Sequence, residues 1–135
     1  MNDKVMMRFS DRFAAKPAAE PEPEAEVISL GAFGYLRGVR DRALMLELRL
    51  KDGCVHALSY SLLDRATLDP SDGLRLRFVG QEVHITGQRL NDRSSGIGLF
   101  EAIVRHRATW IQEASRADTF APSAFGPLIE AIRMP

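Results

Sequence analysis

The sequence predicts an α+β domain, an antiparallel meander sheet of four to five strands with one amphipathic C-terminal helix packed on one face. Three observations predict it. Leu44, Leu46, Leu48 and Leu50 alternate with Met45, Glu47, Arg49 and Lys51, the two-residue period of a half-buried strand. Leu74, Leu76 and Phe78 alternate with Arg75, Arg77 and Val79 in the same way. From Leu99 the period lengthens: Leu99, Phe100, Ile103, Val104, Trp110, Ile111 and Ala114 share one side of a helical wheel, with Glu101, Arg105, Thr109 and Gln112 opposite.

Each strand has its turn. Lys51-Asp52-Gly53 sends the chain back through Cys54 to Tyr60, and two registers are open. A two-residue Asp52-Gly53 turn pairs Leu50 with Val55. A longer type I turn with Gly53 as a bulge pairs Leu50 with Cys54, Leu46 with Leu58 and Leu44 with Tyr60. The second is favoured, because it sets Leu58 and Tyr60 on the leucine face. Gly80-Gln81 leads into a fourth strand with Val83 and Ile85 facing in and His84 and Thr86 facing out. Between the hairpins, Leu62 to Gly73 reads as a connection, with turn chemistry in Asp69-Pro70-Ser71-Asp72-Gly73. Ahead of them, Val27 to Leu30 reads as a short strand, and Gly31, Gly34 and Gly38 mark a loop.

At 135 residues the chain has room for one domain. Residues 1–26 read as a flexible N-terminal arm ending in an acidic linker, where alternating proline and glutamate keep the backbone extended and self-repelling. The domain spans 27–116 and is best defined over 43–114. Residues 117–135 read as a flexible C-terminal tail, with Pro127 placed to open a short helix. The 18 basic and 18 acidic residues cancel, which argues against a protein built mainly to grip nucleic acid or an anionic membrane. Cys54 is the only cysteine, so no intramolecular disulfide forms. No apolar run approaches the roughly 20 residues of a membrane span, and charges stand where a signal peptide needs its apolar stretch. The expected location is the cytoplasm.

Several short pieces together carry a resemblance. They are Lys51-Asp52-Gly53, Leu58-Ser59-Tyr60, Leu68-Asp69-Pro70-Ser71 with Gly73, Gly87 with Arg89-Leu90, and Arg105-His106-Arg107 followed by Trp110 and Glu113. Over residues 43–114 the chain resembles a small bacterial family of uncharacterised proteins. No piece is a catalytic signature. The resemblance implies a compact cytosolic domain and no activity.

Arg107 is the most informative single residue, because the wheel sets its guanidinium on the apolar face, where an unpaired charge is very costly. One reading is an anion clamp formed with Arg89, His106 and Trp110. The other is a structural arginine that caps buried carbonyls. Cys54 and His56 share a strand face, and His84 and His106 are the remaining histidines. Zinc sites announce themselves by close ligand pairs, and only one pair exists, so no metal or other cofactor is expected. Ser59, Ser61, Ser71, Ser94 and Ser95 sit in no nucleophile-elbow setting, and Gly96-Ile97-Gly98 lacks the phosphate-loop lysine and the dinucleotide spacing. No catalytic constellation is visible, and the chain does not read as an enzyme. Arg49, Arg75, Arg77 and His84 could form a basic strip, but without outward aromatics for base stacking, and Glu47 and Glu82 stand by to pair them. The function expected is a non-catalytic protein-interaction or self-association module, its partner a second copy or another protein. Val5, Phe9, Phe13, Leu128, Ile129 and Ile132 are its candidate contact residues. The alternative is a nucleic-acid or small-anion binding domain using Arg89, Arg105 and Arg107.

Overall fold

The computed structural model describes residues 26–94, 96–115 and 126–135. In chain order the strands are β1 (Val27–Ser29), β2 (Phe33–Leu36), β3 (Met45–Arg49), β4 (Val55–Ser59), β5 (Leu63–Asp69), β6 (Gly73–Phe78), β7 (Gln81–Gln88), β8 (Ala108–Gln112) and β9 (Leu128–Arg133). Among the described residues one helix, α1 (Leu99–Val104), precedes β8, and a 3-10 turn spans Tyr60–Leu62. Sheet A has five strands in the order β1-β2-β8-β3-β4, and sheet B has four in the order β5-β6-β7-β9. Phe33, Leu46, Leu48 and Ile111 of sheet A share one core with Leu76, Phe78, Ile85 and Ile129 of sheet B and with Leu99 and Ile103 of the helix. No helix among the described residues is long and apolar enough to cross a membrane.

The two hairpins form as their alternation requires. In the first, Leu46 pairs with Leu58, and Leu50 N–H donates to Cys54 O at 2.8 Å, the favoured register. Gly53 takes φ +96°, a bulge conformation that suits glycine. Leu46 and Leu48 are fully buried, whereas Leu44, expected on the same face, precedes β3 and is 84% exposed. In the second hairpin Leu74, Leu76, Phe78, Val83 and Ile85 are buried, and Arg75 and Arg77 point outward.

The expected single meander is instead divided between two sheets. Tyr60, buried, donates its hydroxyl to Ala108 O at 2.7 Å and pins the chain where it leaves β4. Burial pushes that phenol well above its ordinary pKa, so it stays a donor. The segment expected as a connection then runs as β5, antiparallel to β6, with a register shift between Leu63 and Arg65. That bulge breaks the alternation by which a strand is recognised.

The expected C-terminal helix is also shorter than its wheel. It stops at Val104 in a Schellman arrangement: His106 N–H donates to Ile103 O at 2.9 Å and Arg107 N–H to Ala102 O at 2.7 Å. His106 supplies the left-handed residue, at φ +57°. Beyond it, Thr109, Trp110 and Ile111, β-branched or aromatic, continue as β8. This strand enters sheet A between β2, to which it is antiparallel, and β3, to which it is parallel. The tail is corrected in the same way. Residues 128–133, expected as a loose helix, form β9 against β7. Ile129 and Ile132 are buried in the core, so they are not free for a partner, and Leu128 lies half-buried beside them. Val5, Phe9 and Phe13 lie outside the described residues.

Among the described residues only two charged side chains are buried, and they stand at the two ends of β8. Arg107 donates from Nε and Nη2 to Leu36 O at 3.0 and 2.8 Å, and from Nη2 to Arg37 O at 2.9 Å. Its own carbonyl accepts Leu36 N–H at 2.8 Å. Glu113 accepts Lys51 N–H on Oε1 at 2.8 Å and Ile132 N–H on Oε2 at 2.7 Å, so one carboxylate ties sheet A to β9. Arg107→Met keeps the apolar stem but orphans the Leu36 and Arg37 carbonyls. Glu113→Gln turns an amide donor toward a backbone N–H. Each substitution should cost roughly 1–3 kcal/mol, measured as a lower midpoint of urea unfolding. An unchanged midpoint in both would show that these bonds do not hold the sheets.

Candidate functional site

Sheet edges expose backbone donors and acceptors, and folded proteins shorten, charge, bulge or cover them. Three of the four edges here are managed. β1 is three residues long. β5 carries Asp64, Arg65 and Asp69 and a bulge. β9 is covered on its outer side, where Ala114 N–H reaches Ile129 O at 2.7 Å and Glu113 takes Ile132 N–H.

Among the described residues the fourth edge, β4, has none of these devices. Val55-His56-Ala57-Leu58-Ser59 contains no formal charge and no proline, and it pairs with β3 without a register shift. Leu50 N–H donates to Cys54 O and Tyr60 N–H to Leu44 O, so residues 54, 56, 58 and 60 bond toward β3. The N–H and C=O groups of Val55 and Ala57 therefore face the open side. Val55 is 56% exposed. The end of the edge is rimmed by exposed Leu44, Met45, Leu62 and Val79, drawn alongside by the Tyr60-to-Leu44 bond and by Val79 N–H to Leu62 O at 2.8 Å.

The register aligns Gly34, Trp110, Glu47 and Ala57 in one row across four strands. The Trp110 indole lies on Gly34, where an added Cβ would sit 2.4 Å from Nε1. Arg49 stacks on the indole at 4.6 Å, its Nε and Nη2 held by Glu47 Oε1 at 3.1 and 3.0 Å. Trp110 is thus an outward, half-buried residue rather than a core one. A groove of about 420 Å³ beside it is lined by Leu30, Ala32, Pro127 and Ile129, and its carboxylate, Glu113, already accepts two backbone N–H groups.

The residues of the expected anion clamp are each engaged by a different part of the fold. Arg89 follows β7 with φ +55° and donates to Gly126 O at 2.8 Å. The exposed Arg105 pairs with Glu101 at 3.1 Å. His106 stacks on Tyr60 with ring centroids 4.5 Å apart. Arg107 is taken up by the end of β2, and Trp110 lies on the outside of sheet A. Cys54 sits beside Asp52, whose negative charge pushes the thiol's pKa up, and His56 is exposed on β4. His84 Nε2 lies 2.8 Å from Asp72 O on sheet B. Among the described residues no group of three or more His, Cys, Asp and Glu side chains is placed to hold a metal ion. Ser71 and Ser94 bond to Asp69 and Asp92 in their own turns, Ser59 and Ser61 bond to each other, and Ser95 lies outside the described residues.

Because Trp110 covers Gly34 rather than filling the core, Gly34→Ala should dislodge the indole at a cost of about 1–3 kcal/mol. In a Trp110→Ala background the same change should cost little, a coupling that a double-mutant cycle followed by circular dichroism would read. Additive costs would place the strain elsewhere.

No protein-family model matches this chain, and neither a curated protein nor a solved structure matches it.

Proposed function

We propose that this chain is a non-catalytic self-association module, joined to a second copy by antiparallel pairing of β4 with β4. The observation that supports it most is the unprotected edge: a five-residue strand with outward backbone groups at Val55 and Ala57 and no charge, proline or bulge to deter pairing. With Ala57 on the two-fold axis, Ala57 faces Ala57 of the other copy and Val55 faces its Ser59. No charged residue then meets its like, and the small Ala57 and Ser59 side chains let the two sheets continue as one. The apolar rim of Leu44, Met45, Leu62 and Val79 adds surface worth removing from water. A small domain gains more from such burial than a large one, because it buries a smaller fraction of its surface on folding. The same edge could accept an extended segment of another protein through the same backbone bonds. A lone cysteine and no need for disulfides suit the cytoplasm.

Ala57→Pro tests the reading with little harm to the fold, since the Ala57 N–H points away from β3 and edge positions of this kind tolerate proline. Sedimentation of the full chain at micromolar concentration should show a dimer for the wild type. It should show a folded monomer for Ala57→Pro, and for Ala57→Lys, which places a charge on the edge. A wild type that stays monomeric, or an Ala57→Pro dimer of undiminished strength, overturns it.

A further inference from the structure

The outer face of sheet B carries an arrangement of charge that folding alone does not favour. Arg65 on β5 stands directly across from Arg77 on β6, and like charges in opposed positions destabilise a sheet. Arg75 lies on the same face of β6, between Thr67 on β5 and His84 on β7. Around these guanidinium groups the acids are unevenly spread. Asp72 holds Arg75 at 2.7 Å, Asp64 approaches Arg77 only to 3.8 Å, and Glu82 is the cross-strand neighbour of Arg77 on β7. The Arg65 guanidinium and the Thr67 hydroxyl have no hydrogen bond or ion pair among the described residues. Between them the surface dips into a depression of about 240 Å³ lined by Arg65, Thr67, Arg75, Leu76, Arg77 and Glu82.

That lining sets three guanidinium groups against one carboxylate. A phosphate monoester carries about −1.5 to −2 charges near neutral pH and offers three strong acceptor oxygens, and planar guanidinium forks match such oxygens in pairs. We propose that this depression binds a phosphoryl group, with Arg65 and Arg77 as the two forks, Thr67 as a hydroxyl donor, and Arg75 as a third cation oriented by Asp72. A bound phosphoryl group would turn the repulsion between Arg65 and Arg77 into a shared attraction. Glu82, with Asp72 on Arg75 and Asp64 beside Arg77, offsets much of that charge, so the site suits one phosphoryl group at a time.

A small phosphate ester and the backbone of a nucleic acid both present this group. Arg133 on β9 extends the row through Arg75 and His84, about 14 Å from β5 at the usual strand spacing. None of the four strands carries an outward aromatic, so a nucleic acid here would be held by its phosphates and not read by sequence.

The 135-residue chain, Arg65→Gln, Arg77→Gln and the double variant would be melted with and without pyrophosphate, then titrated against a labelled single-stranded RNA at two salt concentrations. Without ligand, each variant should melt at or above the wild-type temperature. Pyrophosphate should raise the wild-type melting temperature, and the double variant should bind about tenfold more weakly or worse. A pyrophosphate response without RNA binding assigns the site to a small ester. RNA binding that falls steeply with salt and is lost in the double variant assigns it to a nucleic-acid backbone. Failure of both probes to bind, or equal binding by wild type and double variant, overturns the proposal.

Discussion

Strand β8 is held at both ends by a buried charge whose partners are backbone groups, and the interleaving of the two sheets depends on it. A buried ion is tolerable only when hydrogen bonds replace its water, and strand ends leave carbonyls and amides in need of partners. Arg107 meets both demands at the start of β8, where its guanidinium takes the Leu36 and Arg37 carbonyls. Glu113 does so at the other end, where one carboxylate accepts an amide from each sheet. The chain leaves sheet A at Tyr60, builds three strands of sheet B, and returns through α1 to insert β8 between β2 and β3. It then crosses back so that β9 can complete sheet B. Neither sheet is whole without a strand delivered late, so many pairings are distant in sequence and are expected to form slowly.

The same topology creates the open edge. Because the chain leaves sheet A at Tyr60 and β5 joins sheet B, β4 has β3 as its one partner among the described residues. Had the hairpins stayed in one meander, β4 would have been an interior strand beside the next element, and its uncharged sequence would need no explanation. A run without charge or proline suits a covered strand, and β4 keeps that composition while standing at the edge.

What was legible in the sequence is what local pattern decides. The β3-β4 and β6-β7 hairpins follow from alternation and glycine turns, and of the two registers open at Asp52-Gly53 the one that sets Leu58 on the leucine face is the one that forms. Segments whose pairing is distant or irregular were not legible. Residues 99–112 satisfy a helical wheel over their length, and no glycine or proline marks the stop, because His106 takes the left-handed position itself. The contrary sign was the run Thr109-Trp110-Ile111, whose side chains favour a strand. In β9 the apolar Leu128, Ile129 and Ile132 mimic a helix face because a register shift puts both isoleucines on one side of the sheet. The demand that Arg107 find acceptors was sound from its type and its apolar surroundings, although its place is after the helix. The open edge and the Arg65-Arg77 opposition rest on strand order and register, which no local window contains. Arg65 in particular fell in a segment read as a connection.

The two proposed surfaces lie on different sheets, and this bears on what association could do. Pairing through β4 engages sheet A and leaves the outer face of sheet B uncovered by the contact itself. A dimer would therefore carry the phosphoryl depression twice. For a small ester the duplication changes nothing but stoichiometry, since each site fills independently. For a polyanion long enough to reach both depressions, the second contact becomes intramolecular, and avidity rises without any new interaction at either site. Self-association and anion binding are then separable for one class of ligand and coupled for the other. The edge strand and the arginine pair, each unfavourable in an isolated monomer, are the features such an assembly would put to use.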